Sequence, residues 1–209
     1  HGGRAGWGQR DWTVAAKDAH AVTLTLDSAD GDMGFPGRCQ ARVQYVLEGD
    51  RLVWQADAHV DTDCPINLVQ HSYWNLDGAA TSAQHVLQVD ADYYHPVDAQ
   101  ELPLPAVSVQ DSCFDFRQGA RVSIACMPQL DGALVLRSAA GAMRPVARLQ
   151  AGGVVMQVST DRPLLHVYAS AGLRPSGAAL GVAHGPGAGL CLETEDMPNG
   201  PAWGSEVWY

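Results

Sequence analysis

Leu52-Val53-Trp54-Gln55-Ala56-Asp57-Ala58-His59-Val60 puts Leu52, Trp54, Ala56, Ala58 and Val60 on one face and Gln55, Asp57 and His59 on the other. Side chains of an extended chain point to alternate faces, so this period of two marks a half-buried antiparallel strand. The same alternation runs through Val22–Leu26 and Cys39–Tyr45. Further strand candidates are His85–Val89, Arg121–Ala125, Ala133–Arg137, Pro145–Gln150, Val154–Ser159, Leu164–Ala169 and Gly189–Glu193. Turn signals separate them, among them Asp30-Gly31, Gly34-Phe35-Pro36-Gly37, Glu48-Gly49-Asp50, Asp131-Gly132 and Gly152-Gly153. No segment has apolar residues at helical spacing. The pattern predicts an all-β fold, a large antiparallel β-sandwich, with residues 1–209 as a single domain. The Ala/Gly/Pro-rich run Ala169–Gly189 is expected to be a long surface loop.

A chain of 209 residues is long enough to bury a real core. Its formal net charge of −10, with Lys17 the only lysine, argues against a surface for nucleic acid. No apolar run approaches the ~20 residues of a membrane span. The five cysteines, Cys39, Cys64, Cys113, Cys126 and Cys191, form no Cys-x-x-Cys pair. They are expected to be reduced, mostly buried thiols of a reducing compartment, which fits a cytoplasmic protein.

The chemistry-bearing residues lie in three places. In Asn67-Leu-Val-Gln-His-Ser-Tyr-Trp-Asn-Leu76, His71 sits among Asn67, Tyr73, Trp74 and Asn75. An imidazole titrates near neutrality, and amides with aromatic faces suit a sugar's hydroxyls and C–H surfaces. A strand histidine also serves merely to satisfy a backbone group, and the residues alone leave both readings open. Glu193, after Leu190-Cys191-Leu192, is a carboxylate in an apolar strand, where desolvation would raise its pKa and suit general-base work. The other reading is a solvent-facing glutamate on an edge strand, and Glu195 shares its face as a decoy. The third place is His1-Gly2-Gly3. No helical His-x-x-x-His, no Gly-x-Ser-x-Gly elbow and no phosphate loop is present, so neither a metal site nor a serine nucleophile is predicted.

These segments, in order, resemble the aldose 1-epimerase (galactose mutarotase) family. His1-Gly2-Gly3 is similar to its His-Gly-Gly motif, and Asp30-Gly31 with Gly34–Gly37 to its Asp-Gly-x-x-Gly-x-Pro-Gly turn. Asn67–Leu76 resembles its Asn-Leu-Thr-Asn-His-Ser-Tyr-Phe-Asn-Leu signature. Asp92-Tyr93-Tyr94 with Pro96-Val97-Asp98, Phe114-Asp115-Phe116-Arg117 and Leu192-Glu193-Thr194-Glu195 complete the series.

The resemblance implies a galactose mutarotase-like supersandwich that interconverts the α and β anomers of free aldoses without a cofactor. Glu193 would take the proton of the C1 hydroxyl, His71 would protonate the ring oxygen, and His1 would support that charge shift. Asp131, His166, Tyr73 and Asn75 would bind the sugar. Expected partners are a small aldose and no nucleic acid or membrane, for a monomer or homodimer. The family carries a segment before His-Gly-Gly, with a sugar-contacting arginine, and a strand past the region of Tyr209. The chain is therefore expected to be incomplete at both ends. His166 stands where the family usually has a sugar-contacting glutamine, and Gly132-Ala133 replaces a common His-Asn pair. The rival functions are a hexose-phosphate 1-epimerase, which needs a cationic cluster, and a non-catalytic sugar-binding or sensing domain.

Overall fold

Strand pairing is antiparallel throughout the computed structural model, which describes residues 2–174, 176–179 and 182–204. No α-helix occurs among the described residues. None of their helices is long and apolar enough to cross a membrane. The chain forms two compact units, His1–Leu68 and Val69–Tyr209.

In the first unit, β1 (Thr13–Lys17), β2 (Ala21–Ser28), β3 (Cys39–Glu48) and β4 (Arg51–Val60) make one sheet in chain order. β3 and β4 stay in register from Glu48↔Arg51 to Cys39↔Val60. The two-residue turn between them starts with Gly49 at φ 63°, which a side chain disfavours and a tight hairpin requires. Alternation buries Cys39, Ala41 and Val43 and exposes Gln40 and Arg42. β4 lies at the sheet edge, so its apolar face is only partly covered. β1 is exposed along its whole length, which is why it left no periodic signal. The Asp30–Gly37 motif is a structural turn: Asp30 Oδ1 accepts the Gly37 N–H at 2.7 Å. Asp32 accepts Arg10 at 2.6 Å and the Ser28 hydroxyl at 2.5 Å, and these donors hold its carboxyl down at about 2.

The second unit holds β5 (Tyr73–Trp74), β6 (Val86–Val89), β7 (Ala91–Pro96), β8 (Val107–Ser108), β9 (Ala120–Arg121), β10 (Asp131–Leu136), β11 (Arg144–Ala151), β12 (Val154–Thr160), β13 (Leu164–Tyr168), β14 (Ser176–Ala179), β15 (Val182–His184) and β16 (Leu190–Glu195). One sheet has the order β5-β16-β13-β10-β7-β8, a second β12-β11-β6-β9, and β14 pairs with β15. The two larger sheets share one core. Leu134 and Leu136 of β10, Leu165 and Val167 of β13, and Leu190 and Leu192 of β16 join Leu87 and Val89 of β6 and Leu149 of β11. Each such fully buried side chain favours the folded state by about 1.5–3 kcal/mol. The chain passes from one sheet to the other at Asp90, whose N–H donates to Val146 O and whose carbonyl accepts from Arg137 N.

Three expectations are corrected. Cys113 and Cys126 form a disulfide with Cα atoms 5.4 Å apart, while Cys39, Cys64 and Cys191 are free. Two loops that the chain brings over the edge of the core meet there, which no Cys spacing announces. The cysteine argument for a reducing compartment falls with it. Strand Arg121–Ala125 is cut to Ala120–Arg121, because the chain turns at Ser123 into a 3-10 turn over Met127–Gln129 beside the disulfide. The run Ala169–Gly189 contains the β14–β15 hairpin, since strand pairing is a backbone property that small residues permit. Replacing Cys113 and Cys126 together by Ala frees a short loop in the unfolded chain. The expected loss of stability is about 2–3 kcal/mol, read from the midpoint of chemical denaturation.

Candidate active site

Alternation in the six-stranded sheet assembles the site. On β16, Leu190 and Leu192 enter the core, so Cys191, Glu193 and Glu195 face the other way. On β13, Leu165 and Val167 enter the core and His166 and Tyr168 face out with them. Register then sets neighbours: His166 lies opposite Glu193, Tyr168 lies opposite both Cys191 and Asp131, and Cys191 lies opposite Tyr73. Residues far apart in sequence thus become one polar patch on a sheet whose reverse side is core.

His71, just before β5, reaches this patch with Nε2 3.3 Å from Glu193 Oε1. Its ring stacks on Tyr73 at 5.2 Å and meets Tyr168 edge-on at 6.3 Å. Glu193 is 8% exposed and His71 side chain 43%, so the pair combines a buried carboxylate with an imidazole open to solvent. His166 spans two carboxylates: Nε2 is 2.8 Å from Asp131 Oδ1 and Nδ1 is 3.3 Å from Glu195 Oε1.

The electrostatics follow from this packing. Burial raises the Glu193 pKa, the His166 charge opposes that, and Glu195 and Asp131 add to it, leaving it at about 7. Burial disfavours the charged form of His166. The hydrogen bonds to Asp131 and Glu195 and the Glu195 and Glu193 charges outweigh this, and its pKa stands at about 10. Burial, then the nearby Cys191, Tyr168 and Glu193, push the Tyr73 phenol up to about 12. At neutral pH the site therefore holds a half-ionised carboxylate next to a fixed imidazolium and a neutral phenol.

Of the residues expected at the site, Glu193, His71, Asp131, His166 and Tyr73 come together. His1 lies outside the described residues. Asn75 ties its own loop to the segment before β16: its amide donates to Ala79 O and Ala188 O, each at 2.8 Å, and accepts from Gly78 N. Glu195, read as a decoy, partners His166. Tyr168 and Cys191 were not anticipated, although the period of two from Glu193 and His166 points to both. The Phe114–Arg117 and Asp92–Tyr94 motifs serve the fold. Tyr94 stacks on Phe114 at 4.1 Å, and Arg117 grips Asp115 through two hydrogen bonds. A cleft of about 630 Å³ between the Tyr94–Asp98 and Asp111–Phe114 segments touches the cluster only through Asp131.

Close approach fixes Tyr73. A Cβ on Gly189 would stand 2.8 Å from Tyr73 Cβ and 3.3 Å from its carbonyl carbon. Backbone cannot yield as a side-chain tip does, so Gly189→Ala is expected to shift β5. The expected signs are displaced His71 and Tyr73 ring resonances in NMR spectra and a loss of about 1–3 kcal/mol in stability.

The whole described chain has known relatives. It is 33% identical over 219 residues to an aldose 1-epimerase of Escherichia coli (strain K12), covering 97% of this chain and 63% of that protein. It is 30% identical over 212 residues to a galactose mutarotase of Homo sapiens, with 95% and 60% covered. An aldose epimerase homologue from C. elegans superposes with a TM-score of 0.88 at 28% identity, covering 99% of this chain and 66% of that one. A galactose 1-epimerase from Lactobacillus acidophilus gives 0.81 at 28% identity, with 95% and 61% covered. The fold is thus galactose mutarotase-like, and the chain spans about three-fifths of the length of the curated relatives it matches. The family model described as aldose 1-epimerase matches residues 1–206, and the chain belongs to that family.

Proposed function

We propose that the protein containing this chain is an aldose 1-epimerase that interconverts α and β anomers of free hexoses by acid–base ring opening and closure, with no cofactor. The observation that carries the reading is the 3.3 Å contact between His71 Nε2 and Glu193 Oε1. In a cyclic hemiacetal the C1 hydroxyl and the ring oxygen are bonded to the same carbon. A base for one and an acid for the other must therefore be close neighbours. Glu193 takes the C1 hydroxyl proton as His71 delivers one to the ring oxygen, and the C1–O5 bond breaks to leave the aldehyde. Rotation about C1–C2 and closure on the other face, with the two roles exchanged, give the other anomer. A pKa of about 7 lets Glu193 both accept and return a proton near neutrality.

Asp131, paired with His166, would accept from a sugar hydroxyl, and the adjoining Tyr73 and Tyr168 rings would meet the sugar's C–H surface. The carboxylates Asp131, Glu193 and Glu195 outnumber the one imidazolium among them. That balance disfavours a phosphorylated sugar and supports a neutral aldose.

The test is polarimetry of freshly dissolved α-D-galactose and α-D-glucose. Acceleration of the approach to anomeric equilibrium over buffer is expected. Saturable sugar binding without acceleration would replace this reading with that of a sugar-sensing domain, and turnover of hexose phosphates alone with that of a phosphate-specific epimerase.

A further inference from the structure

Cys191 has no part in that proton transfer, yet its thiol stands against the pair that performs it. Its Sγ, a ring nitrogen of His71 and a carboxylate oxygen of Glu193 all lie within 4.8 Å of one another. The arrangement is dictated by the fold, because Cys191 and Glu193 alternate onto one face of β16 while Tyr73, opposite Cys191, stacks on His71. Thiolate, imidazole and carboxylate are the donor types that zinc takes, at about 2.3 Å for sulfur and about 2.0–2.2 Å for nitrogen and oxygen. Around a tetrahedron those lengths separate neighbouring donors by roughly 3.3–3.6 Å. His71 Nε2 and Glu193 Oε1 are already 3.3 Å apart, so two ligands stand at the required spacing and Cys191 needs only a short approach.

We infer that His71, Cys191 and Glu193 form a binding site for a soft divalent cation of the zinc and cadmium class, and that the ion bound there blocks the site. On binding, the Cys191 S–H proton leaves to solvent, a sulfur–metal bond forms, and no oxidation or reduction occurs. Three protein donors leave one position of the tetrahedron to water. The half-exposed His71 provides the way in, and cadmium, the softer ion, draws most on the sulfur. Inhibition by the ion rests on the epimerase reading, since it engages both the acid and the base; binding of the ion does not.

The test is a cadmium titration of the disulfide-intact protein, followed by the thiolate-to-cadmium charge-transfer absorption, with zinc binding measured by calorimetry. One ion per chain is expected. Cys191→Ala should abolish the band and weaken zinc at least tenfold. His71→Asn, at an exposed ring that leaves the core untouched, should also weaken zinc at least tenfold. Cys39→Ser with Cys64→Ser, which removes the other free thiols, should change neither signal. A band that survives Cys191→Ala, a band lost with Cys39 and Cys64, or no binding by the wild type would overturn the inference. An active enzyme that binds no metal would overturn it alone. A protein that binds metal as described but does not hasten mutarotation would overturn the epimerase reading and leave the metal site standing.

Discussion

Glu193→Gln is expected to lower the rate of anomer interconversion by about 10²–10⁴-fold, an increase of roughly 3–5 kcal/mol in the barrier. Glutamine keeps the shape and a hydrogen-bonding oxygen but cannot accept the C1 hydroxyl proton. Sugar binding should therefore change far less than turnover, and polarimetric kcat and KM separate the two. The wild-type pH profile carries a second signature. On the proposed mechanism the base works only when ionised, so activity is expected to fall as pH drops through about 7, the raised pKa of Glu193. The variant's residual rate should lack that limb. Stability moves in the opposite sense. A carboxyl raised from 4.5 to about 7 favours the folded state while protonated, and that contribution is lost as pH rises through about 7. Above that pH, Glu193→Gln should unfold at higher denaturant than the wild type.

His166→Gln is expected to have the second largest effect, and a different one. The imidazolium faces Asp131 on β10 and Glu195 and Glu193 on β16, and the neutral amide leaves three carboxylates without it. Glu193 then becomes harder to ionise, so the acid limb of the activity profile should move about one unit or more toward higher pH. A residue that only filled space would leave the limb where it is. The expected loss of stability is about 2–4 kcal/mol, below the range for a fully buried pair because Asp131 is 42% exposed. The sign is fixed by linkage. The folded-state pKa of His166, about 10, lies above its ordinary 6.5, so its contribution is complete below pH 6.5 and is lost as pH rises through about 10. The gap between wild type and variant should be widest in mildly acidic solution and close in alkali. Denaturation midpoints across that range check it.

Two histidines illustrate how far residue-level reading reaches. His71 lies just before β5 among amides and aromatics, and His85 just before β6. His85 is fully buried and its Nε2 accepts the Leu76 N–H at 2.9 Å, which is the role of a histidine that satisfies the backbone. His71 is half exposed and faces Glu193. The amides and aromatic rings flanking His71 suggested a difference but did not decide it. The family signature around His71 did, and the register that brings β5 beside β16 supplies the physical reason. Glu193 and Glu195 divide in the same way. They share a face and a strand, and pairing across to β13 sets His166 directly opposite Glu193 while its Nδ1 reaches Glu195.

What the amino-acid sequence determined by itself is the fold class, the position of most strands and the family, because strand alternation and turn chemistry are local and six ordered motifs survive without coordinates. The exposed β1 and the short β5 escaped, since neither buries a periodic apolar face, and β14 escaped because Ser176-Gly177-Ala178-Ala179 carries no apolar alternation in sequence. Only the tertiary structure decided that Cys113 meets Cys126, that Asn75 reaches Ala188, and that His166 bridges two carboxylates. These are outcomes of register and loop closure, which join residues whose separation along the chain carries no information about their distance in space. The charge state of the site belongs with them, because desolvation and neighbouring charge exist only once the strands are side by side.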